Sequence, residues 1–320
     1  MAPKVSVLIP CYNVEKYLKQ CLDSVVSQTL RDMEIICIND GSTDQTLETL
    51  RDYEGRDDRI KVISKRNSGY GASMNIGLET AKGDYIGIVE SDDFVEPSMF
   101  EILYNEARVN NLDVVRSNFY LYNSQQNTNT KLDQSWVKHN TVYAPIAEKL
   151  VFFQQPSIWA NLYNRAFLNS HNIRFLETPG ASYQDTAFTF KVYACAQRFK
   201  MIEDAFLHYR VDNENSSVNS AAKLYCVCEE YREIASFIRN TGRYEAYKHL
   251  IPRIKYNCYC WNYNRLAANL RFKFLKRMSK EYRNHLLKGE INREDFTQKE
   301  LRHIAVIAFA PFVYGNKRGL

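Results

Sequence analysis

Apolar and polar positions in this chain fall into blocks whose spacing switches between the strand and helix periods. Val5 to Ile9 is a continuous apolar run stopped by Pro10, and beyond it Tyr17, Leu18, Cys21, Leu22, Val25 and Val26 recur at helical three-and-four spacing. This predicts a strand buried on both faces followed by an amphipathic helix. Glu34 to Asn39 reads as a second strand. Turn residues then crowd at Asp40-Gly41-Ser42-Thr43-Asp44, where Ser42, Thr43 or Asp44 caps a helix running to about Tyr53. Ile60 to Ser64 predicts a third strand, Gly71 to Thr80 a helix, and Tyr85 to Val89 a fourth strand buried on both faces. Four strands separated by helices with short connections predict right-handed crossovers and a mainly parallel sheet.

Further on, Pro97 opens a helix over Ser98 to Val109, and Asp113 to Tyr122 reads as a strand. The polar stretch Asn123 to Ser135 predicts a surface loop or hairpin. Ile158 to Tyr163 predicts a strand and Ala166 to His171 a short helix. A loop from Glu177 to Tyr183 enters a helix that begins near Asp185 and carries Phe188, Phe190, Val192 and Tyr193. Phe206 to Val211 closes this region as a strand. From about Ser220 the pattern is helical to the end, which divides the chain into 1–215 and 216–320, an α/β domain and a mostly helical region.

Charge sharpens that division. The whole chain carries +5, yet from Arg239 onward about 18 Lys and Arg face about 6 Asp and Glu, so the remainder is acidic. Met1-Ala2-Pro3-Lys4 leads straight into a strand, and no apolar stretch reaches the roughly 18 residues of a membrane span, so a cytoplasmic location is expected. The eight cysteines suit buried reduced thiols better than a disulfide framework. Cys226/Cys228 and Cys258/Cys260 have the look of zinc half-sites, but positions two apart on a helix do not share a face, so they are assigned to packing.

The candidate chemistry gathers where the fourth strand ends. Glu90, Ser91, Asp92 and Asp93 follow a buried strand, and carboxylates so close repel one another unless a cation sits among them. Hard oxygen ligands suit Mg²⁺ or Mn²⁺. Asp40 after the second strand and Asp185 at a later helix start are the other acids in comparable positions. Alone, each reads equally well as a turn or cap residue. A dinucleotide site is excluded, since Pro10-Cys11-Tyr12-Asn13 follows the first strand in place of a Gly-x-Gly-x-x-Gly loop, and Gly69-Tyr70-Gly71 lacks the third glycine.

Val5 to Asn13, Asn39-Asp40-Gly41-Ser42-Thr43-Asp44, Asn67-Ser68-Gly69 with Asn75 and Gly77 following, and Glu90-Ser91-Asp92-Asp93 together resemble the nucleotide-sugar-dependent glycosyltransferases of family 2, over about the first 215 residues. The resemblance implies a GT-A, Rossmann-like sheet flanked by helices and inverting transfer from a UDP-sugar. It places the nucleotide on Pro10, Tyr12, Asn13, Asp40, Asn67, Gly69, Ser91 and Asp92, with Asp40 reading the uracil imide. It makes Asp93 and Asp92 ligands of Mn²⁺ or Mg²⁺ on the diphosphate, offers His208 as a third ligand, and makes Asp185 the general base. Two residues depart from the family. Glu90 stands where Asp is usual, its role open. Gln184-Asp185 replaces Glu-Asp, which removes an acidic neighbour and would lower the base's pKa relative to a paired arrangement. Trp159, Tyr183 and Gln184 are candidates for the sugar or acceptor, with core packing an equal reading for the two rings.

In the basic end, Arg271-Phe272-Lys273-Phe274-Leu275-Lys276-Arg277 interleaves cations with aromatics. A solvated helical bundle competes there with peripheral attraction to an anionic membrane at its inner face, to a lipid-linked acceptor, or to a second copy in a homo-oligomer. Nucleic acid is not expected, because no recognition module accompanies the charge. The implied activity is transfer of a hexose to a glycan, glycoprotein or lipid-linked hydroxyl. The alternatives are an idle sugar-nucleotide-binding scaffold and a sugar-phosphate nucleotidyltransferase, which normally carries a Gly-rich basic loop where Pro10 to Asn13 stands.

Overall fold

A computed structural model describes residues 2–213 and 223–313. The backbone separates into two compact units, Met1–Asn215 and Ser216–Leu320. The boundary expected at 215 and the helical onset expected near Ser220 fall in 214–222, outside the described residues.

The first unit is built on a nine-stranded sheet. Its strands are β1 (Val5–Cys11), β2 (Met33–Asn39), β3 (Ile60–Ser64), β4 (Tyr85–Ile88), β5 (Phe94–Val95), β6 (Val114–Asn123), β7 (Thr128–Lys131), β8 (Asn161–Asn164) and β9 (Phe199–Arg210). They lie in the order β3-β2-β1-β4-β8-β6-β9-β5, with β7 hairpinned onto β6. Pairing is parallel from β3 to β4 and between β6 and β9, while β8 and β5 run antiparallel to their neighbours. All seven residues of β1 are buried, Ser6 among them, as a mostly apolar run requires of a central parallel strand. Helix α1 (Glu15–Val26) buries Leu18, Cys21, Leu22 and Val25, one stripe at the helical period. Helices α2 (Thr46–Glu54), α3 (Tyr70–Thr80), α4 (Met99–Val109), α5 (Arg165–Ser170) and α6 (Gln184–Cys195) complete the unit.

Two expectations are corrected here, and one element is new. Residues Ile158–Ala160 form a 3₁₀ turn, and the strand begins only at Asn161. The Asn161 side chain donates to the Ser157 carbonyl at 2.7 Å and Tyr163 Oη to that of Ile158 at 2.9 Å, which folds the chain back before it extends. The last strand starts at Phe199, seven residues earlier than the apolar run at Phe206 implies. Its register against β6 shifts between Met201 and Ala205, so exposed Glu203 and Asp204 interrupt the pattern at a bulge. The two-residue β5 is too short to carry a period and leaves no sequence signal.

The loop before α6 lies on the start of α3. Tyr70 N donates to Gly180 O at 3.0 Å, and Asn75 holds Phe175 through both backbone groups, at 2.8 and 3.0 Å. A Cβ at Gly71 would meet the Leu176 carbonyl oxygen at 2.1 Å, so this approach is open to glycine alone. Gly71→Ala is therefore expected to cost about 1–3 kcal/mol through forced backbone displacement, read as a lower Tm and faster proteolysis between residues 176 and 182. An unchanged melting curve would show that the loop yields freely.

The second unit is helical: α7 (Cys226–Asn240), α8 (Tyr244–Tyr247), α9 (Leu250–Arg265), α10 (Ala268–Leu287) and α11 (Gln298–Phe309), the last opened by a Thr297/Glu300 capping box. Cys226, Cys228, Cys258 and Cys260 are free thiols. Tyr231, Tyr259, Phe274 and Tyr282 fill its core around Lys255 and Glu281, paired at 3.0 Å.

Candidate active site

β4 ends beside β1, with Val89 N donating to Leu8 O at 3.0 Å, and the chain turns at once into β5, with Asp93 N donating to Glu90 O at 3.0 Å. That turn carries Glu90, Ser91, Asp92 and Asp93. Asp93 is 1% exposed. Its Oδ1 accepts from Arg210 N at 2.8 Å, at the end of β9, whereas its Oδ2 is buried with no hydrogen-bond partner among the described residues. Burial first, and the charge of Asp92 second, push its carboxyl well above the ordinary range. Asp92 Oδ2 accepts from Asn213 Nδ2 at 2.7 Å. Arg210 ties the turn down, donating from Nε to Asp92 O at 2.8 Å and from its other end to Gln20 Oε1 at 2.6 Å.

Glu90 accepts from Tyr70 Oη at 2.6 Å, and its carboxyl is pushed up to about 8, by burial above all, with Asp92 and Asp185 adding to the rise. Asp185 is thus electrostatic neighbour to Glu90 across some 95 residues of chain. It sits in the first turn of α6, and burial lifts its carboxyl to about 6. Tyr183, left-handed at φ 65°, turns the chain into that helix. Gln184 is buried and accepts from Ser182 N while donating to Thr178 Oγ1 at 2.9 Å and Gly180 O at 3.2 Å. It staples the loop that aims Asp185. A residue with no sequence signal, Tyr209 on β9, feels the charge of all four acids: after burial, Asp93, Asp92, Glu90 and Asp185 each raise its phenol, which stays a neutral O–H donor.

At the sheet edge formed by the ends of β1 and β2, Tyr12 is 51% exposed above buried Pro10. Asn13 links the two ends, accepting from Thr43 N at 2.8 Å and donating its own N–H to Ser42 Oγ at 3.1 Å. Asp40 is buried, and its carboxylate accepts from Lys65 Nζ, from Ser68 N at 2.9 Å and from Gly69 N at 2.9 Å. Three of the about four lone-pair sites of a carboxylate are thereby used, so Asp40 first of all latches the 67–69 loop. Within that loop Asn67 is exposed and Gly69 is left-handed at φ 93°. Ser91 is buried against Cys11.

Two candidates are placed elsewhere than expected. His208 spends both ring nitrogens, on Glu96 Oε1 at 2.8 Å and Asn129 Oδ1 at 2.7 Å, and is stacked between Phe94 and Tyr120. No nitrogen is left for a metal in this arrangement. Trp159 is 5% exposed and stacks on Tyr209 at 5.2 Å, so its ring backs the acid cluster rather than opening a face to a sugar. No group of three or more His, Cys, Asp or Glu is arranged to hold a metal among the described residues. Two carboxylates, one with an orphaned buried oxygen, nevertheless fit a hard divalent cation that takes its other ligands from phosphate and water.

Comparison with known proteins bears on the family and the fold. The uncharacterized glycosyltransferase EpsJ of Bacillus subtilis (strain 168) is 36% identical over 220 residues, covering 68% of this chain and 63% of that protein. The cholesterol galactosyltransferase of Borreliella burgdorferi is 32% identical over 230 residues, again 68% of this chain and 63% of that protein. The chain thus spans less than two thirds of these relatives. The crystal structure of Staphylococcus aureus TarS 1-349 in complex with UDP-GlcNAc superposes with a TM-score of 0.59 at 20% identity, over 90% of this chain and 88% of that one, which shows a shared GT-A-like fold. A profile described as Glycosyl transferase family 2 matches residues 6–179, from the first buried strand through the acidic turn to the loop before Asp185, and by that match this chain belongs to glycosyl transferase family 2.

Proposed function

We propose that this protein is an inverting, divalent-metal-dependent glycosyltransferase that moves a hexose from a UDP-sugar to a hydroxyl of a glycan, glycoprotein or lipid-linked acceptor. The observation that carries the reading is the acidic turn after β4, where Asp93 Oδ2 is buried with no hydrogen-bond partner among the described residues and Glu90 has Asp92 and Asp185 as electrostatic neighbours. A neighbour in fold crystallised with UDP-GlcNAc supports the donor class, and a relative named for galactosyl transfer to cholesterol supports a hydroxyl acceptor.

In this reading the nucleoside lies along Pro10, Tyr12, Asn13 and Asp40, with Asn67, Gly69 and Ser91 around it. Asp93, through its unpartnered Oδ2, and Asp92 hold Mn²⁺ or Mg²⁺, which when bound supplies Lewis-acid stabilisation of the departing diphosphate. Asp185 takes the proton of the acceptor hydroxyl as that oxygen attacks the anomeric carbon from the face opposite the leaving group. The new C–O bond forms as the bond to the diphosphate breaks, which inverts the centre. Tyr209 offers its O–H to donor oxygens among the acids, and Trp159, Tyr183 and Gln184 hold the acceptor side in shape.

Following UDP and pyrophosphate release over a panel of UDP-sugars, with and without Mn²⁺, tests the class. UDP release stimulated by Mn²⁺ is the expected result; pyrophosphate release would assign a nucleotidyltransferase, and neither product a scaffold. His208→Gln separates ligation from packing. It is expected to lower Tm while leaving the Mn²⁺ concentration for half-activation unchanged, and a large rise in that concentration would restore His208 as a ligand.

A further inference from the structure

From the second unit alone, and independently of the transfer reading, we infer that the outer face of α10 together with the end of α11 docks on an anionic lipid surface. α10 carries Arg271, Lys273, Lys276, Arg277, Lys280 and Arg283 against one acid, Glu281. That acid is turned inward, accepting from Lys255 Nζ at 3.0 Å, Tyr259 Oη at 2.6 Å and Arg277 Nε. At about 100° per residue, Lys273, Lys276, Lys280 and Arg283 fall on a single stripe. All four are exposed, and no carboxylate pairs with them among the described residues.

An apolar rim borders the stripe. Phe272, just beside it in helical angle, packs on Phe312 at 5.1 Å, and Lys276 lies over the Phe272 ring at 4.7 Å. The Ala308 carbonyl accepts from Ser279 Oγ at 3.0 Å and from Arg283 at 2.9 Å, which sets the end of α11 against the basic face of α10. Phe309 and Phe312 are 65% and 64% exposed there, and Val313 is exposed with them. In water the cations are hydrated and only screened by mobile ions, while the rings are left without cover. The interface of a bilayer with acidic headgroups satisfies both at one depth, cations at the phosphates and rings among the upper acyl carbons. A second copy fits poorly, because a two-fold contact would set like charges against each other. Nucleic acid would find cations but also protruding aliphatic and phenyl groups with no hydrogen-bonding capacity toward bases. No described helix is long and apolar enough to cross a membrane, so the contact is peripheral.

The test is co-sedimentation of the full chain with vesicles of phosphatidylcholine alone or with roughly one-third phosphatidylglycerol. Binding is expected to the anionic vesicles only, and to fall when salt rises from about 0.15 M to about 0.5 M. K273E/K276E/K280E is expected to weaken partitioning about 100-fold, and F309S/F312S about tenfold, both with unchanged Tm because the residues are exposed. Equal binding to neutral vesicles, no binding, or variants that bind like the parent would overturn the inference. So would a dimer abolished by F309S/F312S without vesicle binding, or tighter binding to a single-stranded RNA through the same lysines.

Discussion

Replacing Asp185 by Asn is expected to lower the transfer rate by about 10²- to 10⁴-fold while UDP-sugar affinity stays within about twofold. Asn keeps the size and hydrogen-bonding shape of the side chain but cannot accept a proton to form a neutral acid. Because burial lifts the native carboxyl to about 6, kcat/KM of the parent is expected to rise with pH and level off above that value, the base being active only when ionised. The Asn variant should lose this limb. Stability moves the opposite way, which guards against misreading an unfolded variant. A carboxyl whose folded pKa is raised from 3.8 to about 6 stabilises the folded state fully below 3.8, and that contribution is lost as pH rises through about 6. Asp185→Asn is therefore expected to unfold at a higher temperature than the parent at pH 8, by no more than ~3 kcal/mol. Transfer that survives the substitution would remove Asp185 from the chemistry.

Asp93→Asn is expected to cut transfer by about 10²- to 10³-fold and to abolish the gain in UDP affinity that Mn²⁺ provides, measured by calorimetric titration of UDP with and without the ion. Asn preserves the Oδ1 acceptor toward Arg210 N, so the turn keeps its place, but it replaces the carboxylate oxygen that has no hydrogen-bond partner among the described residues. Burial above all raises the carboxyls of Glu90, Asp93 and Asp185, and among the described residues the Arg210 side chain meets Asp92 through its backbone carbonyl and not its carboxylate. A divalent ion bound at Asp93 would lower that carboxyl. An Mn²⁺ effect on UDP binding that is the same in parent and variant would dismiss Asp93 as a ligand.

Much of this protein was legible because its early elements obey local rules. β1, β2 and β4 are dominated by apolar residues, broken by Ser6, Glu34 and Asn39, since both of their faces are largely covered, and α1 shows its stripe since only one face is. The acidic turn was legible for the same reason: four polar residues directly after a buried strand have nowhere to go but the sheet edge. β9 was half hidden, because a bulge exposes Glu203 and Asp204 inside it and breaks the period. His208 looked like a ligand because sequence reports a residue's type and not its partners; Glu96 and Asn129 claim it from distant segments. For Trp159 the sequence left sugar stacking and core packing as equal readings, and its stack on Tyr209 comes from a distant strand; the pKa of Asp185 could not be judged from its neighbour Gln184, since burial sets it.

By itself, then, the chain determines the order of its elements, the family, and which acids end at strand tips and helix starts, because each is written within a few residues of backbone periodicity. Tertiary structure alone decides that Glu90 leans on Tyr70, that Arg210 binds the acidic turn, and that Tyr209 feels the charge of four carboxyls. Those are relations between segments 20 to 120 residues apart, set by strand pairing and by how completely water is excluded, and neither quantity exists until the sheet has closed.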